Sequence, residues 1–520
     1  MNNNEFLTDW GLTLMVFLPA AGALLMLLIP KADEQAHKWV ALVAVLASAG
    51  MAVAVMADFD YDRTADLQFV VDTSWIDVIH ARYFLGIDGL SVPLVALTLL
   101  ITPLCIIYSW NHFPEPRNPK AFLILLLVLH TGMLGTFVAQ DLILFFVFFE
   151  VVLLPMYFLI GVWGAEQRQY AAIKFILFTL FGSALMIVSF LALFFVGGET
   201  FVIPELARNI SDPAAAGIEA VPLATQVLIF GGMFMGFGIK VPIFPFHTWL
   251  PDAHTQAPTV GSVILAAILL KLGTYGFVRV ALPILPEAAI EWAPYIGALA
   301  VIGIIYGALA CLAQTDMKRL IAFSSVSHMG FTMLGIATLT DFGLNAAVMG
   351  MVAHGLITGM LFFLAGSVKD RYHTLEIRRL GGILVKAPRL GWILGFTAMA
   401  SLGLPGLAGF WGEFPAILSA YDPGAGLSTV TFRVYMVIAA LGTVFAAGYL
   451  LWLYQRTTFG VPTDEFEDDD IPDVQIPEWI AWVPMLVLIL VIGIYPNLVF
   501  RVTDDQLTAV AQMLASAVGG

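Results

Sequence analysis

Long apolar runs, spaced along the whole chain, constrain its fold more than any other feature. A helix that spans a bilayer needs about 20 consecutive, mostly apolar residues, and fourteen such runs can be marked out here. Hydrophobic residues make up 60% of the 520 residues and charged residues only 12%, against roughly 25% charged residues in a soluble domain. This composition excludes a soluble enzyme with one apolar core and predicts an all-α polytopic membrane protein.

The predicted helices, numbered in chain order, cover residues 11–30, 38–57, 86–109, 121–138, 142–161, 170–196, 224–245, 256–283, 292–313, 320–340, 344–366, 390–420, 432–454 and 478–500. Helices 1–3 fall in residues 1–120, helices 4–8 in 121–283 and helices 9–13 in 292–456; an acidic loop and helix 14 occupy 457–520. The acidic loop is predicted to be solvated, with contact to a neighbouring subunit as the alternative. Because no lysine or arginine precedes helix 1, we expect a retained helix and not a cleaved signal peptide.

The distribution of lysine and arginine predicts the orientation, because cytoplasmic loops accumulate these residues. Of the 23 in the chain, 15 lie in or beside loops that follow odd-numbered helices, and 6 lie on the other face. The remaining two, Lys240 and Lys271, sit inside apolar segments. Both termini are therefore predicted to be periplasmic, in a bacterial inner membrane. No basic patch wide enough for nucleic acid is visible, so the expected surroundings are lipid and other membrane proteins.

Four ionisable residues lie in apolar surroundings where a charge is costly: Glu150, Lys240, Lys271 and Glu413. A charge at the bilayer centre costs roughly 2.5–3.5 kcal/mol on insertion scales, so such residues usually serve an ion or proton pathway. The alternative is a structural ion pair, or a side chain that extends to the membrane surface. The second alternative suits Lys174, near the end of its helix, which we leave outside the set.

Two of these residues stand beside residues that interrupt helices. Pro242 and Pro245 follow Lys240, while Pro405 and several glycines precede Glu413. Proline removes an amide donor and clashes with the preceding turn, and irregular backbone at membrane depth is tolerated only where protein or water covers it. Helices 7 and 12 are therefore predicted to be broken, as in transporters that bind their substrates at such breaks.

A nearly constant spacing predicts an internal repeat. Lys240 and Glu413 are 173 residues apart, and Glu150 and His328 are 178 apart. Helices 4–8 and 9–13 would then be two copies of one unit. Because each copy has an odd number of helices, the second would be inverted in the membrane, an arrangement that places sites near the midplane.

Several histidines are candidates to connect the charged residues, because histidine takes up and releases protons near neutral pH. The stronger candidates are His247, just after the predicted break in helix 7, and His328 and His354 in the apolar helices 10 and 11. His130 and His254 are weaker candidates. For each of them, the alternative is a histidine held by structural hydrogen bonds.

Five sequence stretches carry a resemblance to a known family: FFEVVLLPMYFLIGVWG, KVPIFPFHTWLPDAHTQAPTVGSVILA, QTDMKRLIAFSSVSHMG, AHGLITGMLFFLAG and GLPGLAGFWGEF. Over essentially its whole length the chain resembles the antiporter-like membrane subunits of respiratory complex I, the proton-translocating NADH:quinone oxidoreductase. The resemblance implies fourteen helices with two inverted five-helix repeats, broken helices 7 and 12, and a hydrophilic axis along the membrane plane. Sister subunits usually carry lysine at the helix 12 break, so Glu413 indicates the subtype with glutamate there.

The resemblance also implies roles for the buried residues. Glu150 and Lys240 would form a charge pair, Lys271 would be the central proton site and Glu413 the terminal one. The three stronger histidines would connect these groups through water. Burial disfavours a charged amine and a nearby carboxylate favours it, so movement of the charge pair would switch Lys271 between holding and releasing its proton.

No cofactor motif is present in the sequence: it lacks a phosphate loop, a dinucleotide fingerprint and a cysteine cluster. Cys105 and Cys311 lie far apart in apolar runs and are predicted to be small buried hydrophobes. The chain is therefore expected to bind no redox cofactor or metal, and the resemblance places FMN, iron–sulfur clusters and quinone in partner subunits. Other membrane subunits, including sister antiporter-like subunits, are the expected partners. A cation/proton antiporter subunit, a passive scaffold and a quinone-reducing enzyme remain as alternatives.

Overall fold

The computed structural model describes residues 5–110 and 113–519, and most of these residues form long apolar helices. We keep the numbering of the predicted helices. Thirteen helices are long and apolar enough to cross a membrane: helix 1 Leu7–Leu28, helix 2 Glu34–Asp58, helix 3 Ser91–Tyr108, helix 4 Pro119–Val138, helix 5 Leu142–Trp163, helix 6 Arg168–Val196, helix 7 Leu223–Lys240, helix 8 Thr259–Ile284, helix 9 Pro286–Leu312, helix 10 Met317–Ala337, helix 11 Asp341–Tyr372, helix 13 Thr429–Thr458 and helix 14 Ile476–Ile494.

Helix 12 is the predicted crossing that the structure divides into two pieces. Its first half, helix 12a, is Pro388–Ser401 and its second half, helix 12b, is Ala408–Ser419. Each half is shorter than the roughly 20 residues that a continuous span requires. Gly403 and Gly406 in the connection have φ values of +76° and +94°, which glycine adopts far more readily than other residues. The predicted break in helix 12 is confirmed.

Helix 7 is also broken, and its prolines explain where. The helix ends at Lys240, and a short helix, 7b, begins at Trp249 and ends at Gln256. Pro242 cannot donate an amide hydrogen bond to the preceding turn. The indole Nε1 of Trp249 instead donates to the backbone carbonyl of Ile239 at 2.9 Å. A carbonyl left exposed by the break is thus satisfied inside the protein, as the membrane interior requires.

Polar residues in the short loops specify where several helices begin. Their side chains accept hydrogen bonds from backbone amides in the first turn, which is the usual role of an N-cap residue. The capping residues are Asp33, Asn118, Asp141, Asp316, Thr340 and Ser428.

The helices separate into a buried centre and a peripheral layer. The most apolar windows of helices 8 and 11 are completely buried within the chain, and that of helix 10 is 94% buried. In helices 2, 6 and 14 only 39% of the window is buried, and in helix 13 only 28%. Helices 8, 10 and 11 are therefore shielded from lipid on all sides, and they carry Lys271, His328 and His354.

The sequence analysis did not predict a strand pair before helix 3 or a helix after helix 14. Strands β1, Gln68–Ile76, and β2, Ala81–Ile87, pair in antiparallel fashion, so helix 3 begins at Ser91 and not at residue 86. A further helix, Asn497–Ser516, follows helix 14, which ends at Ile494 and not at residue 500. The sequence signal for both was weak, because neither is an apolar run of membrane length. The remaining short elements are Asp77–Ile79, Ile203–Ser211, Pro213–Ala216, Ile383–Lys386 and Ala517–Gly519.

Contacts between loops agree with the predicted alternation of the helices across the membrane. On the face formed by loops after odd-numbered helices, Arg117 pairs with Glu34 at 2.7 Å, and the amide of Ala165 donates to the carbonyl of Gln256 at 2.9 Å. On the opposite face, the amide of Gln140 donates to the carbonyl of Phe84 at 2.9 Å. Loops predicted on one face thus contact each other, while the assignment of that face to the cytoplasm stays a prediction.

Candidate functional site

Lys240 closes the first half of helix 7 and lies against helix 5. Its side chain is buried, and its Nζ donates to the carbonyl of Phe149 at 3.0 Å. The same Nζ lies 3.7 Å from the centroid of the Phe149 ring, so a cation–π contact stabilises the ammonium. The carboxylate of Glu150 accepts a short hydrogen bond from the Ser183 hydroxyl on helix 6.

Glu150 and Lys240, the predicted charge pair, lie close enough for their charges to interact, without a direct contact between the two side chains. No nitrogen–oxygen distance between them is 4.0 Å or less, so the two charges interact electrostatically without a salt bridge. Lys240 instead contacts the backbone and ring of Phe149, the residue before Glu150. The carboxylate and the ammonium are thus held apart by their separate hydrogen bonds and interact through space.

Lys271 lies near the middle of helix 8, where the backbone departs from α-helical geometry. Segments of π-helix, Leu265–Leu269 and Phe277–Ala281, lie on either side of the short α-helical stretch that contains it. Such widened turns occur mostly as single interruptions of α-helices and frequently at functional sites. The Lys271 amine donates to the carbonyl of Ala266 at 2.5 Å, within the first of these segments.

The amine of Lys271 also contacts a histidine of helix 11. Its Nζ lies 2.6 Å from Nδ1 of His354, and the lysine side chain is completely buried. Among the described residues, no carboxylate oxygen lies within 4.0 Å of this amine. Like charges at this distance repel each other strongly in a low dielectric, so the pair favours one shared proton over two protonated groups.

A second hydrogen-bonded pair lies beside the first. Nδ1 of His328, on helix 10, lies 2.6 Å from a carboxylate oxygen of Glu413, on helix 12b. The rings of His328 and His354 have their centroids 6.1 Å apart. Two pairs, Lys271–His354 and His328–Glu413, therefore follow one another across helices 8, 11, 10 and 12b.

A cavity joins the two pairs. It is lined by His328, His354, Ser401 and Glu413, among others, and about 20 Å³ of it is open to the centres of water molecules. A water molecule needs about 10–15 Å³ of such space together with polar partners, so the cavity has room for about one. Protons can cross such a gap when a water molecule bridges the two histidines.

The other nitrogen of His328 is held by hydroxyl groups. Its Nε2 lies 3.1 Å from the hydroxyl of Tyr449, on helix 13, and 3.2 Å from that of Ser401, on helix 12a. These contacts hold the ring so that Nδ1 faces Glu413. Tyr449 is thus a positioning residue that the sequence analysis did not single out, since a tyrosine in an apolar helix carries no distinctive signal.

Replacement of Tyr449 by phenylalanine tests this positioning role. A hydrogen bond contributes roughly 0.5–1.5 kcal/mol, so we expect Tyr449→Phe to lower proton movement by the assembled protein about threefold. Tyr435→Phe is the control, because that hydroxyl, on the same helix, bonds the carbonyl of Pro294 at 3.0 Å, away from the histidines. Equal effects of the two substitutions in a vesicle acidification assay would contradict a specific role for Tyr449.

Close helix packing places Glu413. A Cβ on Gly412 would lie 2.6 Å from the Cα of Gly350 and 3.0 Å from its amide nitrogen. Those atoms are backbone, so helices 11 and 12b can approach this closely only because Gly412 has no side chain.

Gly412→Ala should therefore separate helix 12b from helix 11 and move Glu413 away from His328. Overpacking of this kind typically costs about 1–3 kcal/mol, and we expect proton movement to fall at least fivefold or so. Gly448→Ala, on helix 13, is the matched control, because nothing lies within 4 Å of its added Cβ. Undiminished proton movement in the assembled Gly412→Ala protein would show that this contact does not position the carboxylate.

Other predicted residues lie outside the chain of contacts from Lys271 to Glu413. The ring of His247 packs against Phe244 and Tyr306, with centroids 5.6 and 4.9 Å away, and neither ring nitrogen has a hydrogen-bond partner in the described structure. Nδ1 of His130 contacts the hydroxyl of Thr102 at 2.8 Å, as expected of a structural histidine. No hydrogen bond of the described residues therefore links His247 to the other predicted site residues, and its connecting role stays a prediction.

Lys174, near one end of helix 6, forms an ion pair. Its Nζ lies 2.7 Å from a carboxylate oxygen of Asp252, on helix 7b, and about 20% of its side chain is exposed. The break in helix 7 brings this acidic residue next to helix 6. Because Asp252 stands in a loop-like stretch of sequence, its proximity to Lys174 could not be read from the sequence.

Sequence reasoning also missed two deeply buried ion pairs at the ends of the helices. Arg279 pairs with Asp88 at 2.5 Å, and Arg371 pairs with Glu478 at 2.6 Å. In each pair both side chains are no more than 7% exposed. All four residues had been placed in loops or at helix ends, where a charged residue needs no special explanation. These pairs join distant segments and lie apart from the two histidines.

The described residues include no cluster of three or more His, Cys, Asp or Glu side chains that could bind a metal ion. Both cysteines are buried and unpaired. The groups at the centre are amine, imidazole, carboxylate and hydroxyl groups, which can hold and exchange protons.

Comparison with known proteins identifies the family. The family described as NADH:quinone oxidoreductase/Mrp antiporter, TM, matches residues 139–439, and the amino-terminal family of NADH-ubiquinone oxidoreductase chain 4 matches residues 14–136. NADH-quinone oxidoreductase subunit M of Rhodobacter capsulatus is 40% identical over 515 residues, which cover 98% of each protein. NAD(P)H-quinone oxidoreductase chain 4 2 of Thermosynechococcus vestitus is 39% identical and covers 98% of this chain and 93% of its own length.

Solved structures show the same fold. A chain of respiratory complex I from Thermus thermophilus with bound NADH superposes with a TM-score of 0.84 at 28% identity, over 98% of this chain and 100% of that one. A chain of the Mrp complex from Dietzia sp. gives a TM-score of 0.81 at 21% identity, over 97% of this chain and 51% of that one. At that lower identity the likeness concerns the fold alone. This multi-pass membrane protein belongs to the family of antiporter-like membrane subunits of NADH:quinone oxidoreductases and Mrp antiporters.

Proposed function

We propose that this chain is a proton-translocating membrane subunit of NADH:quinone oxidoreductase, complex I, of the type named subunit M in its relatives. It moves protons through buried glutamate, lysine and histidine residues while partner subunits transfer electrons. The observation that carries the proposal is the pair of hydrogen-bonded contacts, Lys271–His354 and His328–Glu413, whose lysine and two histidines lie on helices shielded from lipid. A passive scaffold would gain nothing from such groups, because unpaired ionisable residues at membrane depth are costly.

Each member of the chain of contacts has a role in moving a proton. The N–H bond of the Lys271 ammonium breaks as His354 Nδ1 accepts the proton at 2.6 Å. Water in the cavity and the Ser401 hydroxyl link His354 to Nε2 of His328, and Nδ1 of His328 releases its proton to the Glu413 carboxylate at 2.6 Å. Histidine suits the two middle positions, because its two nitrogens let it accept a proton on one side and release one on the other.

Glu150 and Lys240 are proposed to control this exchange through their charges. The ammonium of Lys240 disfavours a second positive charge nearby, whereas the carboxylate of Glu150 favours one. Because the two groups have separate hydrogen-bond partners, Phe149 and Ser183, each can move without breaking a direct ion pair. A change in their separation would alter how readily Lys271 holds a proton. His247, buried near Lys174, is proposed to take part through water.

The partners and location follow from the family. The relatives' names place them in quinone oxidoreductases, so FMN, iron–sulfur clusters and quinone are expected in partner subunits and none of them in this chain. The exposed apolar faces of the peripheral helices suit lipid and sister membrane subunits. The distribution of lysine and arginine favours a bacterial inner membrane with both termini periplasmic. The repeat of helices 4–8 in helices 9–13 is part of the same proposal.

Purification of the tagged chain in mild detergent tests the assembly. We expect peripheral flavin and iron–sulfur subunits to co-purify, together with an NADH:quinone reductase activity that rotenone or piericidin inhibits. The alternative is a subunit of a multi-subunit cation/proton antiporter, which the shared fold supports. A small assembly of membrane proteins without reductase activity, and a salt-sensitive deletion strain, would favour that alternative.

A further inference from the structure

A second, larger cavity opens between the loops on the face predicted to be cytoplasmic. It has a volume of about 470 Å³ and lies among the ends of helices 3, 5, 8, 10 and 11. Its lining includes the polar residues Glu115, Gln256, Thr259, Lys318, Lys369 and Asp370. We call this space, defined by these six residues, the polar cavity. Its lining and size make it accessible to water.

Lys318 is the unusual member of the polar cavity. It is the second residue of helix 10, and it is only 4% exposed, whereas Lys369 is exposed. Its Nζ donates to the carbonyl of Ala257 at 2.5 Å, and no carboxylate oxygen in the part of the chain that the structure describes lies within 4.0 Å of it. Lysine is seldom this buried without a charged partner. A lysine bonded only to a backbone carbonyl, at the inner wall of a hydrated space, is suited to exchange its proton.

His254 lies three residues before Ala257, whose carbonyl Lys318 binds. It belongs to helix 7b, is completely buried and stacks on Phe362 with a centroid distance of 4.4 Å. Neither of its ring nitrogens has a hydrogen-bond partner among the described residues. Phe362 stands on helix 11, eight residues after His354, the histidine that contacts Lys271. Buried polar atoms are nearly always satisfied, so two unsatisfied imidazole nitrogens beside the contacts of both lysines call for an explanation.

We propose that Lys318 is the residue through which protons pass from the polar cavity to the interior, by way of His254, to Lys271. A hydronium ion in the cavity transfers a proton to the Lys318 amine and becomes water. An N–H bond of that ammonium then breaks as an imidazole nitrogen of His254 takes the proton, directly or through water, and His254 passes a proton to Lys271. This inference rests on the proposed function, since it supplies protons to the pathway described there.

A purely structural role for Lys318 is the competing explanation. Ala257 directly follows helix 7b, and lysines often bind the last carbonyls of a helix and offset its dipole. The chain offers a matched example: Nζ of Lys120 donates to the carbonyls of Leu27 and Ile29 at 3.1 and 2.7 Å, at the end of helix 1. Lys120 performs the same capping task on the same face, away from the pathway.

The experiment compares these lysines in purified, whole complex reconstituted into vesicles, with proton movement measured per NADH oxidised. We expect Lys318→Met and Lys318→Arg to lower this ratio at least threefold or so, because neither side chain can release a proton there. Arginine still donates to the Ala257 carbonyl, so Lys318→Arg should assemble even if Lys318→Met does not. Lys120→Met should leave the ratio unchanged, and Lys271→Met should lower it.

A chemical rescue separates proton exchange from space filling. Aminoethyl methanethiosulfonate attaches an amine to the thiol of a Lys318→Cys complex, whereas methyl methanethiosulfonate attaches only a methylthio group. We expect the first reagent, and not the second, to restore at least half or so of the ratio. Equal rescue by both reagents would overturn the inference. So would an unchanged ratio of protons moved per NADH in assembled Lys318→Arg when Lys271→Met lowers that ratio. Neither result would contradict the proposed function. Unchanged ratios in both the Lys318 and Lys271 variants overturn the proposed function as well.

Discussion

Lys271→Met should reduce proton pumping by the assembled complex at least tenfold or so. Methionine is close to lysine in length and is apolar, so the buried site on helix 8 stays filled. It cannot carry a proton from the surroundings to Nδ1 of His354, the group that lies 2.6 Å from the lysine amine. A tenfold loss corresponds to about 1.4 kcal/mol in the barrier, and removal of the only amine at this contact should exceed that. The measurement is acidification of reconstituted vesicles, with NADH oxidation recorded in parallel.

Lys271→Arg separates the charge of this residue from its proton exchange. Arginine keeps a positive charge but does not release its proton under these conditions, so we expect the same loss of pumping. Native gels establish how much of each complex assembles, and pumping is expressed per assembled complex. If Lys271→Arg pumped normally, the residue would act through its charge alone. Normal pumping by assembled Lys271→Met would remove Lys271 from the pathway altogether.

Lys240→Ala and Glu150→Gln form the second test and should lower pumping about tenfold while assembly is retained. Two unit charges 4 Å apart interact by about 4 kcal/mol at an effective dielectric of about 20, and by roughly half of that at twice the distance. Loss of either charge should therefore change the protonation of nearby groups by more than a factor of ten. Both substitutions act through space, because neither side chain contacts Lys271.

Lys38→Ala is the matched control for Lys240→Ala. Lys38 is also a buried lysine near aromatic rings, with its Nζ 5.8 Å from the Trp110 ring centroid and 5.4 Å from that of Phe113. It lies on helix 2, outside the central helices, so its loss should affect assembly and not pumping per assembled complex. If Lys38→Ala and Lys240→Ala lowered pumping equally, the effect of Lys240→Ala would be due to general destabilisation.

The sequence allowed the membrane class and the positions of most helices to be predicted, because a bilayer imposes a length and an apolar composition on every crossing. It also located the breaks in helices 7 and 12, since Pro242, Pro405 and the adjacent glycines are incompatible with continuous helix. The strand pair Gln68–Ile76 and Ala81–Ile87 escaped prediction, because short strands outside the membrane lack such a constraint. The same membrane constraint marked the seven candidate residues of the site, because ionisable groups are rare at membrane depth.

What the sequence by itself determined was therefore which side chains are exceptional, and not which of them meet. Lys271 and His354 are 83 residues apart, and His328 and Glu413 are 85 apart; their contact depends on how helices 8, 10, 11 and 12b pack. That packing depends on close contacts such as the one between Gly350 of helix 11 and Gly412 of helix 12b. It also places Glu150 near Lys240 without a direct hydrogen bond between them. Only the tertiary structure decided these partners, because hydrogen bonds require distances near 3 Å, whereas periodicity and composition constrain positions only along the chain.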